Sequence, residues 1–125
     1  MNKIHNKIYP KDDIRNIIAE NINDRYGYGT LSSHKVVLMK ENGYVNISNI
    51  LQKNKKNFND WLKESKELID GIEKMYGVPK NKQYFNIRDK NKDINGLYIY
   101  PNLAILIIMW CDINYSLKVS KIINC

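Results

Sequence analysis

The sequence is poor in the residue types that most often build cross-links and metal sites. It contains two cysteines, Cys111 and Cys125, and two histidines, His5 and His34, none of which forms a CxxC pair or another spacing typical of metal ligands. A disulfide scaffold, a metal ion or another cofactor is therefore not expected, and the protein is predicted to be intracellular, in a reducing compartment. Cys111 stands among apolar residues, which predicts a buried thiol.

Long hydrophobic runs are also absent. The longest, residues 103–110, is too short to cross a bilayer, and no apolar segment follows Met1, so neither a membrane span nor a signal peptide is predicted. The sequence further lacks a glycine-rich phosphate loop, and neither histidine has a neighbour that would orient it as a base. An enzyme is therefore the least favoured class, and a membrane is not an expected partner.

The overall composition is typical of one globular domain with an excess of positive charge. The 125 residues are 43% hydrophobic, and 20 Lys and Arg stand against 13 Asp and Glu, which gives a formal net charge of +7. Eleven of the cations, against six acids, lie within residues 48–92. The abundance of Asn, Ile and Lys reflects AT-rich codons, so the placement of the lysines carries more weight than their number. A local excess of cations favours an anionic partner such as nucleic acid.

The first part of the chain, residues 1–34, is predicted to be an N-terminal arm that precedes a domain of residues 35–125. Isoleucines recur at helical spacing within residues 13–23, behind two aspartates that supply an N-cap, which predicts a short amphipathic helix. Two glycines within residues 25–30 then predict a loop.

A first hairpin is predicted over residues 36–47. Two strand-like runs flank Asn42-Gly43, and Asn-Gly between such runs is a strong short-range hairpin signal. Ser48 or Asn49 then caps a short helix that ends in a lysine-rich turn.

The longest predicted helix covers residues 58–76, with Asn57 as its N-cap. Its apolar residues form one wide stripe that includes Trp61, which is predicted to pack in the core. The edge beside that stripe is predicted to be free of acids and carries Asn59, Lys63 and Lys66.

A second hairpin is predicted to have a basic tip. Residues 84–87 and 97–100 have the composition of its two strands. The segment of residues 80–92, which includes part of the tip, holds five cations and one acid. A solvated loop is the alternative interpretation of this charge.

Two helices are predicted to close the chain. Pro101 opens the first, residues 101–110, which is apolar nearly all round and is therefore expected to be central. Asp112 is predicted to cap the second.

The order of hairpin, short helix, basic turn, longer helix and basic hairpin is that of a winged helix-turn-helix. Over residues 35–123 the chain also resembles the KilA-N domain of large DNA viruses and phages, which is similar to the APSES DNA-binding domain of fungal cell-cycle transcription factors. Four blocks carry the resemblance: GYVNIS at residues 43–48 (family pattern G-x-V-N-A-T), KNFNDWL at 56–62 (K-x-F-x-x-W-L), GLYIYPNLA at 96–104 (G-T-Y-V-H-P-x-L-A), and WC at 110–111 with YSLKV at 115–119 (W-C and F-A-x-K-V). Two residues depart from the pattern, Tyr100 where the family often has His and Asn49 where Lys or Arg commonly follows the opening block. The expected fold is α+β, with two small antiparallel hairpins packed against about five helices in a winged helix-turn-helix-like arrangement.

Both the resemblance and the placement of charge favour DNA binding. The longest helix is expected to present Asn59 and Lys63 to the major groove, while lysines of the preceding turn and of the hairpin tip, acting as a wing, hold phosphates. The predicted DNA-binding residues are Lys53, Lys55, Lys56, Asn57, Asn59, Lys63, Lys66, Arg88, Lys90 and Lys92.

Double-stranded DNA is the expected partner, and a homodimer or a second protein domain is left open as a further one. The alternative class is a protein-interaction or oligomerisation module, a fragment of a multidomain viral protein, in which the charge is incidental. A viral origin implies the host cytoplasm or a virus factory as the location.

Overall fold

Strand-forming segments at both ends of the described chain meet in one sheet. The computed structural model describes residues 9–111. Its strands are β1 Ile18–Asn21, β2 Tyr26–Leu31, β3 His34–Met39, β4 Val45–Asn46, β5 Tyr84–Ile87 and β6 Gly96–Ile99. Its α-helices are α1 Ser48–Lys53, α2 Phe58–Glu64, α3 Lys66–Tyr76, α4 Lys80–Gln83 and α5 Pro101–Cys111. All strand pairs are antiparallel, in the order β1-β2-β3-β4-β6-β5.

The predicted α+β class and both predicted hairpins are confirmed. The hairpins are β3–β4 and β5–β6, and they are not separate, because β4 pairs with β6 at Val45↔Ile99 and Asn46↔Tyr98. The helix-turn-helix segment lies between β4 and β5 in sequence. Because of this pairing, the strands before and after it belong to one continuous sheet.

The central strands contribute buried residues to both faces of the sheet, since successive side chains of a strand point to opposite sides. Val36 and Leu38 belong to the larger core with the helices, whereas Val37 between them belongs to a second, tyrosine-rich cluster. The larger core also contains the predicted core residue Trp61. The second cluster consists of Tyr26, Val37, Tyr44, Ile94 and Tyr98. Each fully buried aliphatic side chain of these clusters stabilises the fold by about 2 kcal/mol.

The helix predicted over residues 13–23 and the loop predicted over residues 25–30 are both wrong. Asp13 caps only a short 3-10 helix, Ile14–Ile17, and the chain then forms β1 and β2. Isoleucine spacing favours a helix locally, but β2 pairs with β3 along its whole length, from Tyr26↔Met39 to Leu31↔His34. The division into an arm of residues 1–34 and a domain of residues 35–125 stays a prediction.

The longest predicted helix is two helices, because the chain breaks at Ser65. This residue has φ −116° and ψ 20°, and its N–H donates to the carbonyl oxygen of Leu62 at 3.1 Å. Residues 68 and 76 of the predicted apolar stripe are exposed, while Trp61, Ile69 and Ile72 are buried. Beyond α3 the fully buried Gln83 donates its Nε2 to the carbonyl oxygens of Ile69 and Val78, at 2.9 and 3.0 Å, and so holds α3 against α4.

The helix that opens at Pro101 is confirmed as α5, and Cys111 is buried in the core as predicted. Helix α5 is not buried all round, because Ile105, Leu106 and Met109 are 41% to 45% exposed. The predicted last helix, which begins at Asp112, lies outside the described residues.

The junction of β4, α1 and β6 has no room for a side chain at Gly96. This glycine has φ 149°, and a Cβ there would lie 2.6 Å from the Oδ1 of Asn46 and 2.7 Å from the Oγ of Ser48. We predict that Gly96→Ala lowers the free energy of unfolding by about 3 kcal/mol, measured by denaturant titration.

Gly71→Ala is the matched control. Gly71 lies in α3 and nothing occupies the space of its missing Cβ, so alanine should raise the free energy of unfolding by about 0.5 to 1 kcal/mol. A Gly96→Ala variant as stable as the wild type would contradict the described junction.

Candidate nucleic-acid interface

The turn between α1 and α2 holds basic residues out toward solvent. Asn54 donates its backbone N–H and its Nδ2 to one carbonyl oxygen of α1, at 3.2 and 2.8 Å, and so closes that helix. Lys55 takes a left-handed backbone conformation, with φ 53°. The Oδ1 of Asn57 then accepts the N–H of Asn59 at 2.8 Å, which confirms Asn57 as the cap of α2. Lys53 and Lys55 are left exposed.

The cap of α1 differs from the prediction. The helix begins at Ser48, and the capping position is Ile47, whose side chain accepts no hydrogen bond. The Oδ1 of Asn46 accepts the N–H of Ser48 at 3.0 Å and takes over the role expected of Ser48 or Asn49. The first turn of α1 is therefore anchored from β4.

Lys56 differs from the other lysines of this turn. Its Nζ lies 5.1 Å from the ring centre of Trp110, and its N–H donates to the carbonyl oxygen of Leu51 at 2.9 Å. A cation–π contact of this kind stabilises by about 0.5 to 1 kcal/mol at a partly exposed site. Lys56 fastens the turn to α5, so its replacement would alter packing as well as charge.

Three predicted residues lie together in an open groove of about 500 Å³, here called the lysine groove. It is lined by Asn59 and Lys63 of α2, Lys66, Ile69 and Asp70 of α3, Lys80 of α4, and by Leu62 and Tyr84. Three lysines and one acid line the groove, with an apolar part formed by the leucine, isoleucine and tyrosine. The groove has the surplus of positive charge that an anionic backbone requires.

Two features of the lysine groove differ from the sequence analysis. The expectation of an edge without acids is wrong, because Asp70 follows Lys66 by four residues and helical spacing places it on the same edge. Lys80 was counted in the basic segment but not selected as a site residue. The sequence feature that could have indicated its place in the groove is Gly77-Val78-Pro79, where the chain turns between α3 and α4.

The loop between β5 and β6, residues 88–95 and here called the wing loop, is a folded segment. Side-chain oxygens of Asp89, Asn91 and Asn95 accept backbone N–H groups within the loop at 2.9 to 3.2 Å. Ile94 is 1% exposed and packs in the tyrosine-rich cluster. The basic side chains of the loop stay exposed: Arg88, Lys90 and Lys92.

The second half of the wing loop is tied to the sheet by three side chains. The Nδ2 of Asn46 lies 3.1, 3.3 and 3.1 Å from the carbonyl oxygens of residues 93, 94 and 95. The hydroxyl of Tyr98 donates to the carbonyl oxygen of Ile94 at 2.6 Å, and that of Tyr28 donates to the Oδ2 of Asp93 at 2.6 Å. The loop is therefore held from β2, β4 and β6 together.

A second concavity, of about 480 Å³ and here called the wing concavity, lies beside this tie. Among its lining residues are Lys35 of β3, Asn49 and Gln52 of α1, and Lys92 and Asp93 of the wing loop.

The ten predicted residues thus fall into three places: the turn of Lys53, Lys55, Lys56 and Asn57, the lysine groove with Asn59, Lys63 and Lys66, and the wing loop with Arg88, Lys90 and Lys92. Their action as one surface stays a prediction.

The contact between Tyr28 and the wing loop changes the pKa of the Tyr28 phenol. Its hydrogen bond to the Asp93 carboxylate raises the pKa of the Tyr28 phenol above the ordinary 10.0, and desolvation adds to the rise. Since the folded pKa is the higher one, this bond contributes its full stabilisation below pH 10 and loses it as the phenol ionises above its raised pKa. The tie is intact at neutral pH.

Residues 9–111 contain no group of three or more His, Cys, Asp or Glu side chains positioned to hold a metal ion. None of the helices in that part of the chain combines the length and the hydropathy that a membrane span requires.

Comparison with known proteins supplies the family. The model of the KilA-N domain matches residues 29–125. The chain belongs to the KilA-N domain family. KilA-N is a domain of the DNA-binding type, and the relatives matched here are proteins of large DNA viruses. The resemblance in the four sequence blocks is therefore confirmed.

Several viral proteins are similar to this chain. Two KilA-N domain-containing proteins of Acanthamoeba polyphaga mimivirus are 36% and 35% identical over 118 and 120 residues, covering 92% and 90% of this chain. An uncharacterized protein of fowlpox virus (strain NVSL) is 28% identical over 116 residues, covering 86% of this chain and 76% of its own length. The chain spans about a quarter of the length of those two mimivirus relatives, 26% and 25%. No solved structure matches it.

The tie of the wing loop gives a testable consequence. We predict that Tyr28→Phe speeds amide hydrogen exchange at residues 93–95, because the loop loses its bond to β2, while the unfolding temperature changes little. Tyr76→Phe removes a hydroxyl from a half-exposed ring on α3 and should leave those amides unchanged. Equal exchange rates in the wild type and Tyr28→Phe would contradict the described tie.

Proposed function

We propose that the chain is the DNA-binding domain of a protein from a large DNA virus, and that it holds duplex DNA mainly through phosphate contacts. The observation that carries the proposal is the lysine groove, which is lined by Lys63, Lys66 and Lys80 together with Asn59 of the first turn of α2. Membership of a family of DNA-binding type independently supports DNA as the partner.

The proposed binding mode places α2 in the major groove. Asn59 follows the cap of α2, and a side-chain amide there can pair with an adenine edge in both donor and acceptor senses. Lys63 and Lys66 lie farther along the lysine groove of the protein and would contact the phosphates of the DNA next to that base. Contacts of this kind fix register and supply most of the affinity.

Two further groups of cations are proposed to extend the contact. Lys53 and Lys55 project from the turn before α2, and Arg88, Lys90 and Lys92 project from the wing loop. Because the wing loop is tied to the sheet, its cations would meet the backbone with little loss of conformational entropy on binding. Lys56 contributes less, since its ammonium already faces Trp110.

The alternative, a protein-interaction or oligomerisation module with incidental charge, has one observation in its favour. Ile105, Leu106 and Met109 are exposed on α5, and exposed apolar side chains often mark contacts with another protein. Such contact responds weakly to salt, whereas DNA binding falls steeply as salt displaces the protein from phosphates.

Salt titration with charge-matched variants tests the proposal. We expect the affinity for a labelled duplex of arbitrary sequence to fall with salt at about 0.9 log units per log unit for each phosphate neutralised. Lys90→Ala with Lys92→Ala should weaken binding and flatten that slope by up to about 1.8, because two phosphate contacts are lost.

The control is Lys11→Ala with Lys74→Ala, which removes the same charge from two exposed positions outside the three places. It should leave the slope close to that of the wild type. Duplex binding without salt dependence, or the same change in both double variants, would contradict the proposed phosphate contacts and favour the protein-interaction module.

A further inference from the structure

The wing concavity is distinguished by side-chain amides. Asn49 and Gln52 are three residues apart on α1, so they share one face of the helix, and both are exposed. Within the described residues neither side-chain amide makes a hydrogen bond, whereas the nearby Asn46 amide is fully engaged. The concavity therefore presents two unused donor–acceptor groups.

Cations flank these amides on two different elements. Lys35 of β3 lines the concavity with its Nζ 4.3 Å from the ring centre of Tyr28, and Lys92 enters from the wing loop. The carboxylate that also lines it, Asp93, has one oxygen engaged by the Tyr28 hydroxyl at 2.6 Å. A concavity lined by two amides and two cations, with its acid partly engaged, offers groups for base edges as well as for phosphates.

We propose that the wing concavity is a second DNA contact, in which Asn49 and Gln52 read base edges and Lys35 and Lys92 hold phosphates beside them. This inference rests on the proposed DNA binding and adds a sequence-reading surface on α1 to the one on α2. A side-chain amide pairs with adenine N6 and N7 in the major groove, so A·T pairs are the expected targets.

The body of the protein already holds the parts of this surface in place. The Oδ1 of Asn46 accepts the N–H of Ser48, and its Nδ2 reaches the wing-loop carbonyls, so one side chain sets the position of α1 relative to Lys92. The Oγ of Ser48 also accepts the N–H of Leu97 at 2.7 Å, which fixes α1 to β6. A surface arranged before binding loses less entropy on association.

The test begins with selection from a pool of duplex oligonucleotides randomised at their centre, using the whole chain. Affinity is then measured for the enriched duplex and for a scrambled duplex at one salt concentration. For Asn49→Ala with Gln52→Ala we expect the preference for the enriched duplex to fall by about 10-fold or more. Affinity for the scrambled duplex and its salt slope should stay as in the wild type, because no phosphate contact is removed.

Two controls complete the design. Asn81→Ala with Asn102→Ala removes two exposed side-chain amides on α4 and α5, and this variant should keep the full preference. Lys35→Ala should weaken binding to both duplexes and flatten the salt slope by about 0.9. Similar unfolding temperatures for all variants exclude a loss of fold as the cause.

The outcomes separate this inference from the proposed function. Salt-dependent binding with no enriched sequence, or with a preference that survives the loss of Asn49 and Gln52, would overturn the inference and leave DNA binding intact. Absence of duplex binding by the wild type would overturn both.

Discussion

The structure depends on the side chain of one buried residue, Asn46. It is 7% exposed, its Oδ1 accepts the first N–H of α1, and its Nδ2 faces three successive carbonyl oxygens of the wing loop. An amide nitrogen has two hydrogens, so the three carbonyls share them. Loss of this side chain would remove its bonds to these carbonyl oxygens and to the first N–H of α1, while the carbonyl oxygen of Ile94 would keep its bond from the Tyr98 hydroxyl. Asn46 thereby joins a strand, a helix and a loop that lies nearly fifty residues farther along the chain.

This constraint explains how a small domain can present separate cationic segments in fixed positions. Without these contacts the wing loop would be a mobile connection between the edge strand β5 and its neighbour β6, and its lysines would have to be ordered on binding. The ties from Asn46, Tyr28 and Tyr98 order the loop in advance. The lysine groove is held by another buried amide, Gln83 of the segment that carries Lys80, which bonds the carbonyl oxygens of Ile69 in α3 and of Val78. The wing loop and the lysine groove therefore each rest on a buried side-chain amide.

Local signals in the sequence are enough to predict the turns and helix starts that depend on neighbouring residues. Asn42-Gly43 predicts the first hairpin, Asn57 predicts the start of α2, and Pro101 predicts the start of α5, since caps and turns depend on neighbouring residues. The strand β2 was missed because its glycines have a tertiary cause. A Cβ at Gly29 would lie 2.8 Å from the carbonyl oxygen of Ile17, so glycine lets the end of the 3-10 helix approach β2.

The candidate site was predictable in its charges but not in its shape. Counting lysines and placing them on helices and turns identified most of the cations now found in the groove and the wing loop. Lys35 is not among the predicted site residues because its concavity is formed by segments distant in sequence, whereas Lys80 reaches the groove through the reversal of the chain after α3. The wing concavity depends on the bond between Tyr28 and Asp93, 65 residues apart, and no local pattern predicts such a contact.

Amide hydrogen exchange of the chain with and without duplex DNA tests the central claim, that α1, α2 and the wing loop form one DNA-binding surface around Asn46. We expect the duplex to slow exchange at residues 53–66 and in the wing loop together, and to leave the exposed residues 105–109 of α5 unchanged. Protection confined to α5, with none in the wing loop, would contradict the account.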